Sequence, residues 1–207
     1  KKVLKPGYAT ELGGSSREFR ESSSALGLVF GLSALFIFLV LAAQFESFVH
    51  PITIITTVPL AVGGGIIGLA LTGMTLNLYS QIGIVMLVGL AAKNGILIVE
   101  FANQLRDEGL EILDAIQQAA ARRLRPILMT SIATVFGAIP LAIASGAGGA
   151  ARSAIGVVIV FGVTLATLIT LVLIPLIYAR LAKFTGSPEA VSRRLAQEME
   201  AQERPSA

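Results

Sequence analysis

Residues Tyr79 to Phe101 read YSQIGIVMLVGLAAKNGILIVEF, with charge only at Lys93 and Glu100. At 1.5 Å per residue such a run makes a helix of about 35 Å, enough to cross a hydrocarbon layer of about 30 Å. Four further runs flank it, Ala25 to Ala43, Pro51 to Leu71, Pro126 to Ala144 and Ala154 to Leu181, each nearly free of charge. The expected fold is therefore all-α: a bundle of five transmembrane helices spanning 25–184, solvated by the lipid bilayer. Across the 207 residues, 54% are hydrophobic and 14% charged, which a soluble domain of this length does not require.

The ends of the chain are polar. Lys1 to Ser24 carry five basic groups and no short apolar core with a cleavage site, so they read as neither a signal peptide nor a span. Without an initiating Met, the chain is expected to be part of a longer one. Pro6-Gly7-Tyr8 and Gly13-Gly14 fit the turn-rich end of a folded domain preceding the first span. Residues 185–207 read as a polar tail. The absence of cysteine excludes a thiolate site, and nothing has the spacing of a metal-ligand cluster or a phosphate loop.

The connections set the topology. Gln44-Phe45-Glu46-Ser47 and His50-Pro51 make a tight hairpin, with Pro51 opening the second span and His50 expected as a solvated interfacial residue without a role. Between spans three and four, Asn103 to Arg125 mixes Leu105, Leu110, Ile112, Leu113 and Ile116 with Arg106, Asp107, Glu108, Glu111 and Asp114. It reads as a short amphipathic helix lying at the interface. Arg122, Arg123 and Arg125 precede span four and Arg180, Lys183, Arg193 and Arg194 follow span five, whereas the turns at Gly73 to Asn77 and Ser145 to Ser153 hold only Arg152. That asymmetry predicts a cytoplasmic C-terminus and accounts for the pI near 9.5 without nucleic acid.

Lys93 is the informative residue. An ammonium this deep costs about 2.5 to 3.5 kcal/mol on insertion scales, so it requires a carboxylate, a carbonyl or water. Glu100 lies two turns away, about 10 Å along the axis, and reads as an interfacial or packing residue. Lys93 therefore either meets a partner from outside these five spans or snorkels to the interface; its depth favours the partner. Asn94 can both donate and accept, Thr130 and Ser131 put hydroxyls early in span four, and Arg123 shares a helical face with Thr130. Gly27 and Gly31, with Gly63, Gly64, Gly65 and Gly68, are expected to let helices approach closely. Pro59, Pro140 and Pro175 interrupt spans, leaving carbonyls for neighbouring helices to satisfy.

Residues Gly89-Leu90-Ala91-Ala92-Lys93-Asn94-Gly95-Ile96-Leu97-Ile98-Val99-Glu100-Phe101-Ala102 resemble the tenth-helix motif of resistance-nodulation-division (RND) exporters. Arg123-Leu124-Arg125-Pro126-Ile127-Leu128-Met129-Thr130-Ser131 resembles the opening of their eleventh helix, and Ser145-Gly146-Ala147-Gly148 leading to Ala154-Ile155-Gly156 the loop into the twelfth. Ala43-Gln44-Phe45-Glu46-Ser47 fits the turn after the eighth. The five spans thus correspond to helices 8 to 12, with 1–24 as the end of a periplasmic porter domain and 185–207 as a cytoplasmic tail. Lys93-Asn94 is similar to the hydrophobe and amphiphile branch, of the acriflavine resistance protein B type, rather than to the heavy-metal branch.

The resemblance implies a multi-pass permease of the bacterial inner membrane, without enzymatic activity or cofactor, that exports amphiphilic small molecules such as drugs, dyes and detergents by proton antiport. Its implied partners are an N-terminal half carrying an aspartate pair, two further copies in a homotrimer, a periplasmic adaptor and an outer-membrane channel. Lys93, Asn94, Arg123 and Thr130 are the implied proton relay. The alternatives are a non-transporting assembly fragment and an RND relative that exports lipid or protein.

Overall fold

A computed structural model describes residues 15–184 as helix and turn, with side chains from 27 to 183. Helices α1 (Ser15–Phe45), α2 (Val49–Ile55), α3 (Thr57–Leu71), α4 (Leu78–Asp107), α5 (Ile112–Ala142) and α6 (Gly149–Leu181) follow in order, and a 3-10 turn (Ala182–Phe184) closes the series. With α2 and α3 acting as one interrupted span, five helices are long and apolar enough to cross a membrane. Helix α6 is the centre of the assembly and packs against α3, α4 and α5, while α1 leans on α4 from outside.

Local chemistry explains the boundaries. Helix α1 ends where Glu46 takes a left-handed φ of 46°, which reverses the chain for the hairpin expected there. The break at Thr56 separates α2 from α3 and falls one turn before Pro59, which has no N–H to bond the Ile55 carbonyl. Asn77 caps α4 reciprocally: Ser80 N donates to Asn77 Oδ1 (2.9 Å) and Asn77 N donates to Ser80 Oγ (2.8 Å). Gly146 and Gly148 supply positive φ in the turn before α6, and Ser153 Oγ ties that turn down by donating to Ala142 O at 2.7 Å.

Three sequence expectations are corrected. The segment Asn103 to Arg125 is not a separate interfacial helix: its first residues finish α4, and Ile112 to Arg125 run unbroken through Pro126 as the first turns of α5. Ala115, Ile116 and Ala119 are buried in the same cluster as Ala102, Leu105 and Tyr178, so this stretch docks on the bundle instead of lying flat. Thirty-one residues make a helix of about 46 Å, so α5 projects beyond a hydrocarbon layer of about 30 Å. Ser15 to Ser24, grouped by sequence with the preceding polar segment, belong to α1; the turn-rich stretch before Ser15 and the tail from 185 lie outside the described residues. His50, expected in solvent, is 0% exposed.

Only some of the glycines serve close approach. A Cβ on Gly64 would lie 2.9 Å from Leu165 Cβ, and one on Gly68 2.6 Å from Phe161, so α3 and α6 meet backbone to side-chain root. Gly156 goes further, since a Cβ added there would run into the backbone of Ala142 in α5. Gly27, Gly31 and Gly63 have nothing within 4 Å, so the spacing that predicts packing there finds no partner among the described residues.

Candidate functional site: a polar seam beside Lys93

Lys93 stands at the middle of α4, and its neighbour Asn94 turns into the bundle. Asn94 is buried. Its Nδ2 donates to Ser131 Oγ of α5 (3.3 Å) and to Thr167 Oγ1 of α6 (3.1 Å), and Thr167 Oγ1 donates to Ser131 Oγ at 2.9 Å. Three helices are thereby stitched together by one closed triangle of neutral groups. In hydrocarbon an unpaired polar group costs several kcal/mol, so mutual satisfaction is what permits these residues at this depth.

Lys93 itself is exposed on the bundle's outer surface, and no ion pair reaches it among the described residues. Beside it opens a small cleft between α4, α5 and α6, lined by Lys93, Asn94, Thr130, Ser131 and Thr134 with Leu90 and Val163. The hydroxyls of this cleft are partly committed: Thr130 Oγ1 donates back to Ile127 O (3.2 Å) and Thr134 Oγ1 to Thr130 O (2.8 Å). Each keeps oxygen lone pairs with which to accept. The cleft thus gathers hydroxyls beside an ammonium.

Arg123 is elsewhere. Its guanidinium lies 4.5 Å from the centroid of the Phe101 ring, with Arg122 at 5.9 Å from the same ring. Nε of Arg123 is buried without a hydrogen-bond partner, and the residue does not line the cleft. The structure therefore brings Lys93, Asn94 and Thr130 together and leaves Arg123 about two turns away along α5. Thr134 and Thr167 join the site without having been singled out by sequence. Thr167 belongs to a row with Thr164 and Thr170 at three-residue spacing on α6, and that shared helical face is the signal that marks it.

A second polar cluster sits toward the end of the bundle where α4 and α6 finish. Tyr178 OH donates to Asn103 Oδ1 at 2.6 Å and accepts from Arg106 Nη1 at 3.3 Å. His50 stacks on the Tyr178 ring (centroids 5.6 Å, 15° between planes) and meets the Phe45 ring edge-on at 5.8 Å. Both His50 ring nitrogens, Asn103 Nδ2 and Asp107 Oδ1 are buried without a hydrogen-bond partner. The packing of aromatic faces explains why the hairpin histidine is drawn inward: α2 folds back onto α6 and carries His50 with it.

Five helices long and apolar enough to cross a membrane, packed around a satisfied polar seam with a lysine at the middle of α4, define a polytopic membrane bundle. The chain belongs to the AcrB/AcrD/AcrF family of RND transporters, whose profile it matches over residues 1–182. It is 43% identical over 176 residues to the toluene efflux pump membrane transporter TtgB of Pseudomonas putida, a match covering 85% of this chain and 17% of that protein. It is 44% identical over 186 residues to an uncharacterized transporter of Haemophilus influenzae, covering 86% and 18%, and 41% identical over 181 residues to the solvent-resistant pump membrane transporter SrpB of Pseudomonas putida, covering 87% and 17%. The chain spans less than a fifth of the length of these relatives.

Proposed function

We propose that this chain forms helices 8 to 12 of a proton-driven efflux permease in a bacterial inner membrane, and that Lys93 is the mobile positive charge of its proton relay. The observation that carries the reading is the placement of Lys93: mid-helix, exposed on the bundle's outer face, and at the mouth of a hydroxyl-lined cleft. An ammonium at that depth is tolerated when it faces protein or water rather than lipid. The outer face of α4 is where an N-terminal half carrying an aspartate pair would dock.

In this reading the ammonium is held by ionised carboxylates of the partner half and released when protons neutralise them, because a charge in a low-dielectric site follows its counter-charge. Thr130 accepts and relays protons or water along the cleft. Asn94 holds the walls of the cleft together through Ser131 and Thr167, and Arg123 sits on Phe101 about two turns of α5 away, outside the cleft. Relatives bearing the names toluene efflux pump and solvent-resistant pump support small apolar and amphiphilic compounds as cargo. The family supports a homotrimer working with a periplasmic adaptor and an outer-membrane channel.

The test is Lys93→Ala in the full-length protein, with efflux measured at a fixed imposed proton gradient and normalised to inserted protein. Coupled export should be lost while insertion and thermal stability stay unchanged. Full efflux by the variant would reduce Lys93 to a snorkelling residue and end the relay assignment.

Orientation follows the basic residues. Arg106, Arg122, Arg123, Arg125, Arg180 and Lys183 gather where α4 and α6 end and α5 begins, and that side is assigned to the cytoplasm. A single cysteine introduced at Gly148 should react with an impermeant thiol reagent in cells whose outer membrane has been permeabilised, and one at Ala120 should not; the reverse pattern would invert the topology.

A further inference from the structure

At the basic end of the bundle, a cleft of about 500 Å³ opens between the end of α4, the start of α5 and the turn after α6. Arg106, Glu111 and Lys183 line it together with Leu110, Ile112 and Leu113. We propose that this cleft binds one phospholipid with a zwitterionic, primary-amine headgroup, of the phosphatidylethanolamine type.

The charges are arranged for two opposite groups. Lys183 offers donors to a phosphodiester, and Arg106, whose guanidinium also donates to Tyr178 OH, adds positive charge to the same cleft. Glu111 opens α5 in an extended conformation, and its side chain makes no capping hydrogen bond. No ion pair joins Glu111 to Lys183 among the described residues, so the carboxylate is available to an ammonium. An anionic headgroup without an amine would meet Glu111 as a like charge. A quaternary ammonium has no N–H to give it.

The apolar side of the cleft fits the rest of a lipid. Leu113 is exposed although it lies in the first turn of α5, beside charges that mark the membrane boundary. One cleft lined by both basic groups and leucine or isoleucine side chains offers a lipid the headgroup and the acyl-chain environment together. Soluble phosphate esters share the headgroup chemistry but have nothing to place on Leu110, Ile112 and Leu113. This site is separate from the Lys93 seam and does not depend on the transport reading.

Delipidated full-length protein in detergent, titrated with lipids of matched chains and read by native mass spectrometry, tests the proposal. Phosphatidylethanolamine should bind about tenfold tighter than phosphatidylcholine through the charge-assisted bond to Glu111. Glu111→Gln should abolish that preference while leaving phosphatidylcholine unchanged, and Lys183→Ala should weaken both lipids. Neither substitution touches the buried core, and an unchanged melting temperature will establish folding. Equal affinity for the two lipids in the unsubstituted protein, a preference that survives Glu111→Gln, or tighter binding of phosphatidylglycerol would each overturn the proposal. Competition by soluble glycerophosphoethanolamine as strong as by the intact lipid would also overturn it, by showing a site for a free phosphate ester.

Discussion

The seam around Asn94 and the cluster around Tyr178 are both buried polar groups between α4 and α6, yet they are built on different terms. At mid-bundle, Asn94, Ser131 and Thr167 satisfy one another in a closed triangle. Toward the basic end, Tyr178, Asn103 and Arg106 form an open chain, and His50, Asn103 and Asp107 leave buried atoms without a partner. Depth accounts for the contrast. In the hydrocarbon middle a donor has no water to fall back on, whereas near the headgroups a small displacement lets water in. Thr170 Oγ1, buried without a partner one turn beyond Thr167, is the transition between the two regimes.

The largest stability effect should come from the triangle. Asn94→Ala removes two hydrogen bonds that join three helices and leaves a void, so a loss of about 2 to 3 kcal/mol is expected. In thermal unfolding of the full-length protein, Asn94→Ala should lower the midpoint clearly where Lys93→Ala does not. Adjacent residues would then divide cleanly into one that holds the bundle and one that is exposed on it. A midpoint unchanged by Asn94→Ala would remove the distinction between seam and end cluster.

Tyr178→Phe should cost less, about 1 to 2 kcal/mol, because it deletes one hydroxyl and leaves Asn103 and Arg106 near enough to the interface to recruit water. The same unfolding measurement ranks it against Asn94→Ala. A larger loss than for Asn94→Ala would show that the end cluster, not the triangle, is the principal polar clamp.

His50→Phe should have the smallest effect, within about 0.5 kcal/mol of zero. The stack on Tyr178 and the edge contact with Phe45 survive the change, and two buried nitrogens without partners are removed. A loss above about 2 kcal/mol would mean that the His50 nitrogens do make hydrogen bonds in the membrane, and would bring the two regions under one rule.

How far sequence reading reaches differs between these regions for the same physical reasons. Lys93 is legible because the cost of an ammonium in an apolar run is a local property of the run. The end of α1 at Glu46 and the cap at Asn77 are legible as turns, since turn chemistry is also local. His50 escapes local rules because its surroundings come from Phe45 and Tyr178, both on other helices and the second far away in sequence. Asn103 to Arg125 escapes them because its amphipathic pattern serves a helix that lies on a bilayer and one that docks on other helices equally well.

The sequence by itself determined the solvent, the number of spans and the one charge at mid-depth, because hydrophobic length and desolvation cost are sums over neighbouring residues. Its family motifs, ordered along the chain, carried the membership that the profile match over residues 1–182 bears out. The tertiary structure alone decided which side chains meet. Asn94 joins Thr167 across 73 residues of sequence, Gly156 lets α6 touch the backbone of α5 at Ala142, and Arg106 shares a cleft with Lys183. Each of these depends on the angle and register at which helices cross, and those are settled by packing small residues against large ones between elements that no local window of sequence contains.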